Sequence, residues 1–329
     1  MKRILFLVII MVGCISALKV SAQVDPHFSQ YYIQPATLNP ALTGAMQGDY
    51  RVSAIWKNQY ANTLSSRGVA AEMATNRNLN AGINVFNQAS SDHAYSYTTA
   101  NISLAYTGVR FNNHYISMAL QAGVINRYFN INKLQFGDQW TAGIGYSETN
   151  AGQEVFNKPS VTVLDAGAGV MYYDATPEKK VNVFAGFSAF HLSRPSDPFI
   201  SGGEKEKMPV RYSLHGGAKI MVNDLFSIVP NFLYMRQGEA EEKVAGAYLQ
   251  VNASEKVDLL FGANLRFGNA FIPFAGFFYK GLTVGMSYDT NISNKTTAAL
   301  NRNSAELSLS YTWWQKKSTQ TKMAPCPRF

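Results

Sequence analysis

Near its end the chain reads Glu306, Leu307, Ser308, Leu309, Ser310, Tyr311, Thr312, Trp313. Odd positions carry apolar or aromatic side chains and even positions carry polar ones. Successive side chains of a strand point to opposite faces, so this stretch predicts a strand with one greasy and one wet face. A helix would scatter the same alternation around its surface. The pattern recurs along the chain. Residues 114–126 set Ile116, Met118, Leu120, Ala122 and Val124 against Ser117, Ala119, Gln121 and Gly123. Residues 257–267 place Leu259, Phe261, Ala263, Leu265 and Phe267 on one face, with Gly262, Asn264 and Arg266 on the other.

Strands are predicted over 49–57, 67–76, 78–87, 95–107, 114–126, 160–174, 181–191, 209–222, 225–236, 241–253, 257–267, 270–279, 281–289 and 303–314. That is an even number, fourteen, as single-chain bacterial outer-membrane barrels have. Loop lengths agree with the count. The three longest connections are the fifth (127–159), the seventh (192–208) and the thirteenth (290–302), all odd. The eighth is Asn223-Asp224 and the twelfth is about Lys280. Outer-membrane barrels have long external loops and short periplasmic turns. The expectation is an all-β transmembrane barrel of 14 antiparallel strands over 49–314, in the cell outer membrane with both termini periplasmic.

The flanks read differently. Lys2 and Arg3 precede an apolar run over 4–12, and Val20-Ser21-Ala22 forms a small-residue exit, so 1–22 is read as a secretory signal peptide. Its apolar run is too short to span a bilayer. Residues 23–48 contain Pro26, Pro35 and Pro40 and end with Gly44 and Gly48, which argues against strand or helix. The same segment carries Phe28, Tyr31 and Tyr32, large groups that need something to pack against. It is read as plug-like, with those three as the plug contacts; a disordered leader is the alternative. Residues 315–329 are read as a basic periplasmic tail.

Composition fits this picture. The chain is 47% hydrophobic and 13% aromatic, yet no later run of 18 residues is apolar. A barrel reconciles the two, because half its strand residues face lipid and half face a polar lumen. Of the net charge of +8, Lys2, Arg3 and Lys19 lie in the leader, and Lys316, Lys317, Lys322 and Arg328 lie in the tail without an acidic partner. That leaves no basic recognition face, so no nucleic-acid partner is expected. The tail, ending in Phe329, is a candidate partner-binding element. Cleavage after Ala22 leaves Cys326 as the only cysteine, which rules out an internal disulfide.

The alternation turns Glu72, Asp165, Arg211, His215, Lys219, Arg266, Asp289 and Glu306 inward. On the lipid face Arg or Lys would cost about 2–4 kcal/mol near the midplane. These eight are the candidate lumen polar network, read as ion pairs that pin the plug; a conduction path is the sharper alternative. Gly167-Ala168-Gly169 lies within a strand and lacks a third glycine, so it is not a dinucleotide fingerprint; small residues there suit close packing against lumen contents. No H-E-x-x-H, G-x-S-x-G or P-loop occurs, and the five histidines lack ligand spacing. No catalytic residue, metal or cofactor is expected, and the chain is read as not an enzyme.

An ordered set of motifs resembles a known family. It begins with Asp25-Pro26-His27-Phe28-Ser29-Gln30-Tyr31 and Asn39-Pro40-Ala41, and continues with Lys133-Leu134-Gln135-Phe136-Gly137-Asp138-Gln139 and Asp165-Ala166-Gly167-Ala168-Gly169-Val170. Gly186-Phe187-Ser188-Ala189-Phe190-His191-Leu192 follows, then Pro209-Val210-Arg211-Tyr212-Ser213-Leu214-His215, Ser287-Tyr288-Asp289 and Glu306-Leu307-Ser308-Leu309. Together these resemble the PorP/SprF family of type IX secretion membrane proteins. The resemblance implies a FadL-like outer-membrane barrel that assists export or surface attachment of a protein with a sorting domain, such as an adhesin, including those of gliding motility. Implied partners are outer-membrane lipid, type IX secretion components or a large secreted adhesin, and a periplasmic, peptidoglycan-linked protein. The alternative is a FadL-like transporter of small hydrophobic solutes.

Overall fold

Alternation with period two decides which way each strand faces, and a polar face needs a polar interior to point into. In the computed structural model this is solved by closure. The structure describes residues 24–315, except 61, 76–77, 135–138, 142, 148–158, 197–206, 255 and 293–302. The wall strands are β1 (Tyr50–Gln59), β2 (Leu64–Met73), β3 (Leu79–Ser90), β4 (Tyr95–Phe111) and β5 (His114–Phe129). A two-residue-per-strand hairpin, β6 (Trp140–Thr141) and β7 (Gly145–Tyr146), sits within the fifth connection. The wall resumes with β8 (Ser160–Asp174), β9 (Val181–Phe190), β10 (Arg211–Met221), β11 (Phe226–Gln237) and β12 (Ala240–Ser254). It ends with β13 (Val257–Arg266), β14 (Ala270–Tyr279), β15 (Leu282–Asn291) and β16 (Ser304–Trp313). Every neighbour is antiparallel, and β1 pairs with β16 from Tyr50↔Trp313 to Asn58↔Ala305, which closes a fourteen-stranded barrel.

The faces follow the sequence pattern. On β16, Glu306, Ser308 and Ser310 are buried while Leu307, Leu309 and Tyr311 are exposed. Leu120, Leu164 and Met286 are among the most exposed large side chains, as a lipid-facing surface requires. Stacked rings of Tyr50, Trp313 and Tyr311 form an aromatic column at the end where β1 begins and β16 finishes. No helix of the described residues is long and apolar enough to cross a membrane.

Residues 24–49 run through the interior. Two short 3-10 turns, Pro35–Thr37 and Pro40–Leu42, each start on a proline, where the missing N–H is not needed. Asn39 caps the second by accepting from Ala41 N. Phe28, Ile33, Leu38, Ala41 and Leu42 are all buried. Phe28 packs with Ile55, Phe86, Tyr97, Ile125 and Met208, and Leu42 packs with Met171, Phe184 and Phe274. Gly169 and Gly186 make room for the segment: a Cβ at either position would run into Asn39.

The direction of this segment corrects one expectation. Strand parity puts Tyr50 and Trp313 together at the short-turn end, but it says nothing of residues before the first strand. Asp25 N donates to Gln237 Oε1 (2.8 Å), at the last residue of β11, so Asp25 lies at the long-loop end. Asp49 N donates to Trp313 O (2.9 Å) at the opposite end. The first and last described residues therefore lie at opposite ends of the barrel, not at one.

Candidate functional site

The inward charges gather mainly around the lumen segment, in two groups at the long-loop end. The first is centred on Ser29. Glu306 accepts from the backbone N–H groups of Ser29 (2.9 Å) and Gln30 (2.6 Å). Ser29 Oγ donates to Asp289 Oδ2 (2.8 Å) and accepts from Lys57 Nζ (2.8 Å) and Arg266 Nη2 (3.1 Å). This fills the one donor and two acceptor positions of a hydroxyl. Lys57 and Arg266 also reach Asp289 Oδ2, at 3.1 and 3.2 Å. Arg266 Nε and His27 Nε2 both contact Glu242 Oε1, at 3.1 and 2.9 Å. Two fixed cations, Lys57 and Arg266, thus face three carboxylates, Asp289, Glu306 and Glu242, with the His27 ring beside the third.

The second group is centred on His191, one residue beyond β9. Its Nε2 contacts Asp25 Oδ2, and its Nδ1 lies 3.0 Å from Asp165 Oδ2. Burial alone would pull the imidazole pKa down, but hydrogen bonds to Asp165 and Asp25 outweigh it and raise His191 above its ordinary value. Burial likewise favours a neutral Asp25, yet His191, Arg211 and Gln237 overcome it and hold that carboxyl well below the usual range. Arg211 stacks over the Phe190 ring at 4.3 Å and lies 3.7 Å from Asp25.

The remaining predicted residues lie elsewhere in the lumen. Glu72 pairs with Arg51, its direct cross-strand neighbour near the short-turn end. Lys219 donates to Gln250 Oε1 (3.0 Å), and Gln250 Nε2 donates in turn to Asp258 Oδ2 (3.2 Å). His215 Nε2 accepts from Asn39 Nδ2 at 3.1 Å. All eight candidates point inward, but they form several contacts and not one network. The plug contacts are engaged too: Phe28 meets Phe86 edge-on at 5.3 Å, Tyr31 Oη donates to Asn231 (2.9 Å), and Tyr32 lies 5.5 Å from the Phe274 ring. The tail candidates Lys316, Lys317, Lys322, Arg328 and Phe329 lie outside the described residues, as does the leader.

Sequence reasoning missed Lys57, Glu242, Asp25 and His191. Lys57 was within reach, since it shares the phase of Arg51 and Ser53 on β1. Asp25 and His191 sit outside the strands, where alternation gives no direction. Chemically the arrangement binds chain to chain: the charged groups of these clusters meet an opposite charge or a lumen-segment atom, and no group of His, Cys, Asp and Glu among the described residues is arranged to hold a metal.

The sequence profile of the family described as "Type IX secretion system membrane protein PorP/SprF" matches residues 20–311. No curated protein matches the chain. Among solved structures, the P. putida toluene transporter TodX is similar at 9% identity and TM-score 0.49, covering 90% of this chain and 96% of its own. The Ralstonia pickettii toluene transporter TbuX is similar at 10% identity and TM-score 0.48, covering 85% and 94%. A Pseudomonas aeruginosa FadL homologue gives 9% and 0.44, covering 85% and 94%.

Proposed function

Because the chain belongs to the PorP/SprF family, and is thereby an outer-membrane component of type IX secretion, we propose that it is a non-enzymatic accessory that assists export or surface attachment of a client bearing a sorting domain, such as an adhesin. The observation that carries this reading is a lumen crossed by the chain's own segment. Residues 24–49 pack against the inner face of the barrel and anchor at the long-loop end through Glu306, Asp289 and His191. A barrel crossed by its own chain offers its ends as working surfaces. On this reading the long loops meet the client outside, and the short-turn end meets a periplasmic, peptidoglycan-linked partner.

Solute transport is the poorer reading. Residues 24–49 lie across the lumen: the apolar cavity between Tyr31, Tyr32, Phe184 and Phe274 is about 30 Å³, room for a water or two, and the larger cavity at the short-turn end is floored by the segment itself at Tyr32, Ile33 and Met46. Deleting the gene and restoring wild-type barrel tests the proposal. Surface client, measured on intact cells, should fall on deletion and return on complementation, while uptake of hydrophobic solutes stays constant. Unchanged surface proteins together with lost solute uptake would reverse the assignment.

A further inference from the structure

The lumen segment does not fill the short-turn end. A cavity of about 570 Å³ remains there, within the roughly 300–1,000 Å³ range of ligand pockets. Its floor is the segment itself, at Tyr32, Ile33 and Met46; Leu260, Phe278 and Thr283 line the wall. Gln47, Lys256, Lys280 and Trp314 are exposed at its rim, so it opens away from the long loops.

The rim is unevenly charged. Lys256 and Lys280 belong to adjacent turns, joined by Lys280 N donating to Lys256 O at 3.2 Å. Lys280 Nζ rests over the Tyr279 ring at 5.0 Å. Among the described residues neither lysine is ion-paired. The other charges of the cavity are spent: Arg51 pairs with Glu72, and Asp258 is buried against Gln250. Beyond Gln315 the sequence adds Lys316 and Lys317.

We propose that this vestibule is a docking port for an acidic peptide segment of a periplasmic partner, which inserts an aliphatic or aromatic side chain against Ile33, Met46, Leu260 and Phe278 while its carboxylates meet Lys256 and Lys280. The port rests on the periplasmic placement of the short-turn end proposed above. Charge complementarity argues for the occupant: rim cations steer an acidic chain, and the apolar interior anchors it. The chain's own tail is a poor occupant, because it is basic at a basic rim.

The test uses full-length barrel in uncharged detergent and needs no client, so its failure is distinct from failure of the secretion reading. Fluorescence anisotropy would follow a labelled short peptide alternating Glu with Leu and Phe, its Lys-for-Glu counterpart, and a labelled long-chain carboxylate. The acidic peptide should bind and the basic one should not. The double variant Lys256→Glu, Lys280→Glu should weaken binding about tenfold or more. Leu260→Trp, which covers part of the apolar wall that takes the inserted side chain, should weaken it about tenfold or more. Both variants should keep wild-type heat-modifiable mobility; a truncation lacking 316–329 should bind no more tightly than full-length barrel. Equal binding of both peptides, or full binding by the Leu260→Trp barrel, would overturn the port. Tighter binding after truncation would assign the cavity to the tail, and binding of the long-chain carboxylate alone would assign it to a lipid.

Discussion

Glu306 shows how single residues hold the lumen segment. Its carboxylate takes two consecutive backbone N–H groups of a segment that has few ladder bonds of its own, and it lies within 3.6 Å of Lys57. Glu306→Ala removes an acceptor from two buried donors and part of the counter-charge of Lys57 and Arg266. Breaking a buried pair in this way costs about 3–5 kcal/mol. The expected outcome is an inserted barrel that loses heat-modifiable mobility at a lower temperature than wild type; equal stability would show that Glu306 carries no load. His191 gives a pH dependence. Its folded pKa is raised, so its contribution is complete below the unfolded value near 6.5 and is lost as pH rises through the folded value. Asp25 acts in the opposite sense: its folded pKa is depressed, so its contribution stands above about 3.8 and fades as pH falls through the folded value. Protection of residues 24–30 against hydrogen exchange, taken relative to the intrinsic rate at each pH, should therefore be greatest between those limits and fall on the alkaline side, and His191→Gln should remove that fall. These partners were hard to foresee because Asp25 and His191 are 166 residues apart and lie outside the alternating strands.

At the scale of the strand, the register was readable in detail. The inward set Glu306, Ser308, Ser310 and the outward set Leu307, Leu309, Tyr311 stand as the alternation requires, because a slip of one residue would turn the whole set over. Strand ends were less readable. β4 and β5 run on to Phe111 and Phe129, past the predicted ends at 107 and 126, because pairing continues where the lipid no longer imposes alternation. Leu309→Arg places a guanidinium in lipid and should cost about 2–4 kcal/mol near the midplane, seen as a reduced yield of folded barrel. The matching inward control depends on what fills the lumen at that height. Ser308 is 1% exposed and donates to Gln30 Oε1 at 2.7 Å, so an arginine there meets the lumen segment. Thr283 borders the open vestibule, and Thr283→Arg should fold at near wild-type yield. Comparable losses in the Leu309 and Thr283 variants would contradict the assigned faces.

Taken whole, the molecule is a barrel closed around its own N-terminal chain. The sequence revealed that residues 23–48 need something to pack against, but not the path they take, because that path is written in pairs such as Gln30–Glu306 and Asn39–His215, far apart along the chain. Deleting residues 25–44 removes Tyr32 and Ile33 from the floor of the vestibule and both ionic anchors, so the remaining barrel should conduct ions in planar bilayers; unchanged conductance would mean that other parts seal the lumen. The path also sets topology. Val24 packs with Leu38, Leu233 and Met235, and Asp25 is tied to Gln237 and His191 at the long-loop end. Gln315 N is bonded to Asp49 Oδ2 at 2.7 Å at the other end. With long loops outward, as in outer-membrane barrels, an epitope inserted just before Val24 should be reached by antibody on intact cells. One placed after Phe329 should be reached only once the outer membrane is permeabilised. The insertion leaves the Asp25 contacts in place, and heat-modifiable mobility would check that the barrel still folds. Protection of the first epitope on intact cells, in a folded barrel, would mean that the chain before Val24 turns back into the lumen or that the long loops cover the mouth. Labelling of the second epitope on intact cells would invert the barrel and move the vestibule to the cell surface.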